Sequence, residues 1–245
     1  MRIYLDIETI PSQQPDAREL VKATIKPPAT HKKPETIAAW WENDAPAAIE
    51  EAWRKQALDA ALGEIISISW MTDDCLAPTA AIRSHHDDER VVLAQFFGQL
   101  QAVLEADAIR DHRGQAIYDD SPFFIAHNAS FDLGFLWRRS IILGIRAPFT
   151  IPSPTAKPGS YGDTMTAWAG NRGTIGLDNL CKALGVPSPK GEGMDGGKVF
   201  DAWLAGELDR IAKYNAADVV ATRECWRRLN WEKSASAEKS AEAAA

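Results

Sequence analysis

Between positions 3 and 8 the chain alternates Ile3, Leu5 and Ile7 with Tyr4, Asp6 and Glu8. This is the two-residue period of a half-buried strand, so Asp6 and Glu8 project from one face. Two carboxylates held side by side repel unless a cation lies between them. An exposed strand face would explain the pair without any cation. Spacing alone does not decide, because Asp87-x-Glu89 has the same separation within His-His-Asp-Asp-Glu-Arg, a stretch that reads as a solvated turn. Context separates the two pairs, since only Asp6 and Glu8 end an apolar strand.

Pro11 closes that strand, and residues 12–63 read as a loop followed by helix, with one helical run at 37–41 after Thr36 and a second at 47–62. This stretch reads as an insertion. Residues 64–70 form a second strand pattern and 79–83 a third, followed by a helix over 88–105. Three successive strands with no long helix between them predict an antiparallel meander. A short buried strand over 123–126 runs into Asn128, with Ser130 the expected N-cap of a helix reaching Leu143. A short helix follows at 177–184, then a glycine-rich loop at 191–197, and a final helix at 207–229. Residues 231–245 are rich in Ala, Ser, Glu and Lys and read as a disordered or frayed tail.

At 245 residues with 45% hydrophobic content, the chain can bury one sizeable core, which predicts one domain over 1–230 plus the tail. It contains no apolar run of about 18 residues, and Met1-Arg2-Ile3-Tyr4-Leu5 lacks the pattern of a signal peptide. A soluble, cytoplasmic protein with no membrane partner is expected. Cys75, Cys181 and Cys225 are widely spaced, odd in number and without zinc-ligand spacing, so they read as reduced thiols. The net charge of −7 argues against a protein that coats nucleic acid by charge alone. Carboxylates loaded with divalent cations would, however, present positive charge to a phosphate.

A second signal is Phe124-Ile125-Ala126-His127-Asn128-Ala129-Ser130-Phe131-Asp132, a strand delivering an amide and then a carboxylate four residues later. Asp132 could simply complement the helix dipole. His127 reads as a turn residue. A third signal lies in the final helix, where Ile211, Tyr214, Asp218, Ala221, Cys225 and Leu229 recur at helical spacing and predict an inward stripe. A buried carboxylate at Asp218 requires an arginine or a metal, and Tyr214 stands one turn away on the same face. One metal site accounts for all three signals. Four carboxylates, Asp6, Glu8, Asp132 and Asp218, form an oxygen-only donor set that suits Mg²⁺ or Mn²⁺ rather than Zn²⁺.

Asp6-Ile7-Glu8, then Asn128-x3-Asp132 around Phe131, then Tyr214-x3-Asp218, resemble in order and separation the three motifs of the DEDD superfamily of 3′-5′ exonucleases. Tyr214 stands four residues before the aspartate, and Lys213 occupies the place where the other subclass has histidine, so the chain resembles the tyrosine subclass (DEDDy). It is more specifically similar to predicted exonucleases related to the proofreading domain of family B DNA polymerases. That likeness includes Leu5 to Thr9, Lys33 to Ile37, Gly63 to Ser69, Asp163-Thr164-Met165, Lys190-Gly191 with Asp195-Gly196, and Tyr214 to Val219.

The resemblance implies a ribonuclease H-like α/β fold, a mixed sheet with three antiparallel strands first and helices on both faces. It also implies two-metal hydrolysis at the 3′ end of single-stranded DNA. In that scheme Asp6 bridges two Mg²⁺ or Mn²⁺ ions, Glu8 and Asp218 hold one of them, and Asp132 serves the other. Tyr214, a phenol of pKa about 10, orients the attacking water rather than acting as a strong base. Thr9, Asn128, Phe131 and Leu177 are assigned to the substrate, and Asp163 to an outer layer around the ligands. Lys32, Lys33, Lys190 and Lys198 are candidate phosphate contacts, and Trp40, Trp41 and Trp53 candidate base-stacking groups; solvated loops and helix packing are the competing explanations. A ribonuclease D type of exoribonuclease and a silent module binding nucleic acid or a replication partner are the alternatives.

Overall fold

The computed structural model describes residues 1–108, 113, 121–189 and 193–232. Of these, the described residues of 1–8 and from Ile65 on belong to one compact unit and Thr9–Glu64 to another. In chain order the elements are strand β1 (Arg2–Ile10), helices α1 (Ala17–Thr24), α2 (Pro34–Asn43) and α3 (Ala45–Arg54), strands β2 (Glu64–Thr72) and β3 (Thr79–Ile82), and helix α4 (Glu89–Asp107). Strand β4 (Phe123–Ala126), helix α5 (Ala129–Ile142) and strand β5 (Gly162–Asp163) follow. Helices α6 (Thr164–Ala169), α7 (Leu177–Leu184), α8 (Val199–Leu204) and α9 (Leu208–Leu229) complete the fold.

The five strands form one mixed sheet in the order β3-β2-β1-β4-β5. β2 and β3 pair antiparallel, with Ser67 opposite Ile82, whereas β1 with β4 and β4 with β5 run parallel. Alternation along the strands assigns each face its cover. Tyr4, Met71 and Ile125 form one core cluster with Val219 of α9. On the opposite face Trp70 meets Phe96 of α4, and Phe149 bridges Phe96 and Phe124. This is the α/β arrangement with helices about a mixed sheet that the sequence predicts.

Several local boundaries differ from expectation. α5 begins at Ala129 with Asn128, not Ser130, as its N-cap, and Asn128 adopts the left-handed conformation (φ 65°) that asparagine tolerates better than most residues. The Asp87–Glu89 stretch is no simple solvated turn. Asp88 caps α4 by accepting from the Arg90 amide, and buried Glu89 receives the Arg139 guanidinium and the Ile65 amide. The expected helix at 47–62 is α3 followed by a short 3-10 turn, Lys55–Leu58.

In the Thr9–Glu64 unit, Trp40 and Trp53 are buried, and Trp53 donates its indole hydrogen to the Ser12 carbonyl while Arg18 lies over its ring. Those two tryptophans therefore pack their own unit rather than offering stacking surfaces. Gly63 passes so close to the Gln56 carbonyl that a Cβ would lie 2.4 Å from it. Among the described residues no helix is long and apolar enough to cross a membrane. The expected tail falls, from residue 233 on, outside the described residues, as do Lys190, Gly191 and Glu192 of the glycine-rich stretch.

Candidate metal centre

β1 presents Asp6 and Glu8 on the face covered by α9, as its alternation requires, and α9 brings Asp218 to meet them. One carboxylate oxygen from each of Asp6, Glu8 and Asp218 lies within 4.8 Å of the others. Glu8 is buried, while Asp6 and Asp218 are half-buried. Asp132, on the first turn of α5, is buried and accepts a hydrogen bond from the Ile7 amide at 3.1 Å, between the two β1 acids. β1 pairs with β4 through Arg2, Ile3 and Tyr4, and β4 ends at Ala126, where the chain turns into α5. The Ile7 amide beyond that ladder is met instead by the helix that β4 feeds.

The start of α5 is pinned by Asp163. In the β4–β5 ladder Asp163 stands opposite Ala126, and its carboxylate accepts from the Asn128 and Ala129 amides at 3.0 and 3.1 Å. The same carboxylate accepts from Met165 and Thr166 at the head of α6. One buried side chain thus satisfies otherwise orphaned amides of two helices. His127 spans the same region: its Nε2 lies 2.9 Å from the Ile175 carbonyl and its Nδ1 2.9 Å from the Thr164 hydroxyl. A carbonyl only accepts, so Nε2 carries the hydrogen, and burial lowers the pKa of this ring below the usual histidine value.

The acids strain one another electrostatically. Burial, followed by the charges of Asp132, Glu8 and Asp218, raises the Asp6 carboxyl well above the usual range, against a lowering hydrogen bond from Asn215. Burial and the charges of Asp218 and Asp132 do the same to Glu8. Asp132 is pushed up to about 8, by burial first and by Asp163 and Asp218 next, with the Ile7 amide opposing. Tyr214 is half-buried and hydrogen-bonded to Asp218; burial and then the charges of Asp218, Glu8 and Asp6 push its phenol far above the usual value, so it keeps its proton. Such a group of carboxylates fits a hard divalent cation, which replaces shared protons with a charge that all the oxygens can face.

The expected inward stripe of α9 is displaced. Ile211, Ala221 and Cys225 are buried as predicted, but so are Asn215, Val219 and Thr222, while Tyr214 and Asp218 lie half-buried at the margin. α9 is covered by the sheet and also by α6, α7 and α8, so its buried band is broader than one stripe. Asn215 is the residue that sequence reasoning passed over. Fully buried, it accepts from the Ser67 hydroxyl at 2.8 Å and donates to Asp6 Oδ2 at 2.5 Å. Its helical position between Tyr214 and Asp218 carried no signal of either bond.

The residues assigned to substrate are distributed unevenly. Phe131 is half-buried with its ring centroid 5.4 Å from that of Phe135, and Asn128 accepts weakly from the Ser130 hydroxyl. Leu177 opens α7 and packs on the cluster of Leu180, Cys181, Val186, Ala221 and Cys225. Thr9 donates its hydroxyl to the Ala57 carbonyl within the Thr9–Glu64 unit. Lys198 pairs with Asp195, and Lys32 and Lys33 are exposed. Cys181 and Cys225, far apart in sequence, place their sulfurs 3.7 Å apart as free thiols.

An α/β domain with a mixed five-stranded sheet and an acidic centre beside its first strand has the makings of a ribonuclease H-like nuclease. Residues 56–244 match the family described as predicted 3′-5′ exonucleases related to the exonuclease domain of PolB, and the chain belongs to that family. The matched stretch contains Asp132, Tyr214 and Asp218; Asp6 and Glu8 lie before it and join the centre through the fold. No curated protein matches the chain.

Proposed function

We propose that the protein is a metal-dependent 3′-5′ exonuclease of the tyrosine subclass of the DEDD superfamily, acting in the cytoplasm on single-stranded DNA ends, with residues 1–230 as its exonuclease domain. The observation that carries this reading is the convergence of Asp6, Glu8 and Asp218 within 4.8 Å in a chain of that exonuclease family. Asp6, Glu8, Asp218 and Asp132 would hold two Mg²⁺ or Mn²⁺ ions. Bound there, the ions would neutralise charge on the scissile phosphate and acidify the attacking water. Tyr214, which keeps its proton, holds that water by a hydrogen bond and sets its line of approach. Asn128, Phe131 and Leu177 are each half-buried and so keep surface for the terminal nucleotides. A 3′ end entering such a centre must be unpaired, which favours single strands over blunt duplex.

The test is Mn²⁺-dependent hydrolysis of a labelled linear single-stranded DNA, its closed circular counterpart, and an RNA of the same sequence. Stepwise nucleotide release from the linear DNA alone is expected, and none in excess chelator. Cutting of the circle would identify an endonuclease, preference for RNA would identify an exoribonuclease, and undiminished hydrolysis in chelator would rule out the metal mechanism.

A further inference from the structure

We infer that Ser67 and Asn215 form a hydrogen-bond relay that fixes the orientation of Asp6, which makes Asn215 a positioning residue for the acidic centre. The inference rests on the metal-dependent reading of that centre.

With a cation bound Asp6 is ionised and only accepts, and its Oδ2 lies 2.5 Å from the Asn215 side-chain amide. The amide must therefore turn its NH2 group toward Asp6, which leaves Oδ1 facing Ser67. Oδ1 only accepts, so the Ser67 hydroxyl, 2.8 Å away, must donate. In the cation-loaded centre every hydrogen in the relay is thus set by the charge on Asp6. Ser67 is anchored in β2, between strands β1 and β3, and both it and Asn215 are fully buried. A rigid strand therefore dictates, through one amide, which way a β1 carboxylate points.

The consequence for Asp6 is specific. One lone pair on Oδ2 is occupied by a neutral donor, and the remaining acceptor positions are left for a cation. Aspartate at position 215 would have nearly the same shape but would set acceptor against acceptor and add charge to an already crowded centre. Alanine would leave both Asp6 and the Ser67 hydroxyl without this partner. The relay explains why an amide, a side chain costly to bury without partners, stands at zero exposure one residue after Tyr214.

The experiment is Mn²⁺ titration of the full chain by calorimetry, with melting curves to verify folding, for wild type, Ser67→Ala, Asn215→Ala, the double variant and Asp6→Ala. Partners that orient a metal ligand are typically worth about 10- to 100-fold in affinity, and that loss is expected for Asn215→Ala. Ser67→Ala should lose less, because the amide remains, and the double variant should bind no more weakly than Asn215→Ala alone. On single-stranded DNA the expected change is a fall in kcat with KM unchanged. Wild-type affinity in Asn215→Ala, or simply additive losses in the double variant, would overturn the relay. Should Asn215→Ala fail to fold, Ser67→Ala, which removes a single oxygen, decides the question: unchanged Mn²⁺ affinity rejects the relay. If wild type itself takes up no Mn²⁺, the metal-dependent reading falls and the relay with it; Mn²⁺ uptake by wild type and Asn215→Ala alike rejects the relay only.

Discussion

The Asp132 carboxylate accepts a hydrogen bond from the Ile7 amide at 3.1 Å, so the α5 acid grips the backbone link between the two acids of β1. Asp132 thereby has two separable duties, as a charge and as an acceptor. Asp132→Asn keeps an acceptor oxygen for Ile7 but removes the charge, whereas Asp132→Ala removes both and leaves a buried amide unsatisfied. Metal-free Asp132→Asn should exceed Asp132→Ala in stability by about 1–3 kcal/mol in urea titrations. Turnover should fall in both variants by roughly 10²- to 10³-fold, the typical worth of one group stabilising developing charge. Equal stabilities would mean that the Ile7 amide finds another partner.

The charge on the same side chain gives the metal-free protein a pH dependence. With Asp132 pushed up to about 8, against about 3.9 for a free aspartate, the folded state holds more protons than the unfolded state between those values. Bound protons in the folded form make stability fall as pH rises through that window. The raised carboxyls of Asp6 and Glu8 act in the same direction. Melting temperatures in chelator should therefore decline from pH 5 to pH 8, and saturating Mn²⁺ should raise them more at pH 8 than at pH 5. A melting temperature independent of pH, with no cation effect, would show that the acids do not share one field.

Tyr214 separates mechanism from scaffolding. It is hydrogen-bonded to Asp218 and keeps its proton, so removing the hydroxyl keeps the ring but costs Asp218 one hydrogen bond along with the one that directs the water. In single-turnover hydrolysis Tyr214→Phe should be slower by roughly 10² to 10⁴, the worth of a well-placed proton-handling or positioning group. Mn²⁺ affinity should fall by about 10-fold at most, far less than the rate. An unchanged rate would assign the phenol to packing, and lost Mn²⁺ would assign it to ligand support.

Much of this architecture is legible in local periodicity. The alternation of β1 places Asp6 and Glu8 on one face, and the spacing of Tyr214 and Asp218 places them one turn apart, because both relations concern neighbours in the chain. What escapes local reading depends on partners elsewhere. The cap of α5 comes from Asp163 across the β4–β5 ladder, Glu89 is buried because Arg139 meets it, and Asn215 is fixed by Ser67 and Asp6. β5, at two residues, is too short to show a period, and α1 buries only Ala17 and Val21, too few to stand out from a loop.

β1 shows Tyr4, locked beside Met71, Ile125 and Val219, on the same face as Asp6 and Glu8, while Ile3, in register with Phe124, faces the opposite layer. With Tyr4 held in place, one residue inserted or deleted before Asp6 would swing both acids to the side where Phe124, Phe149 and Phe96 meet. The strand therefore counts in twos: point substitutions can accumulate along it, but its length between Tyr4 and Asp6 can change without inverting the acids only by an even number of residues.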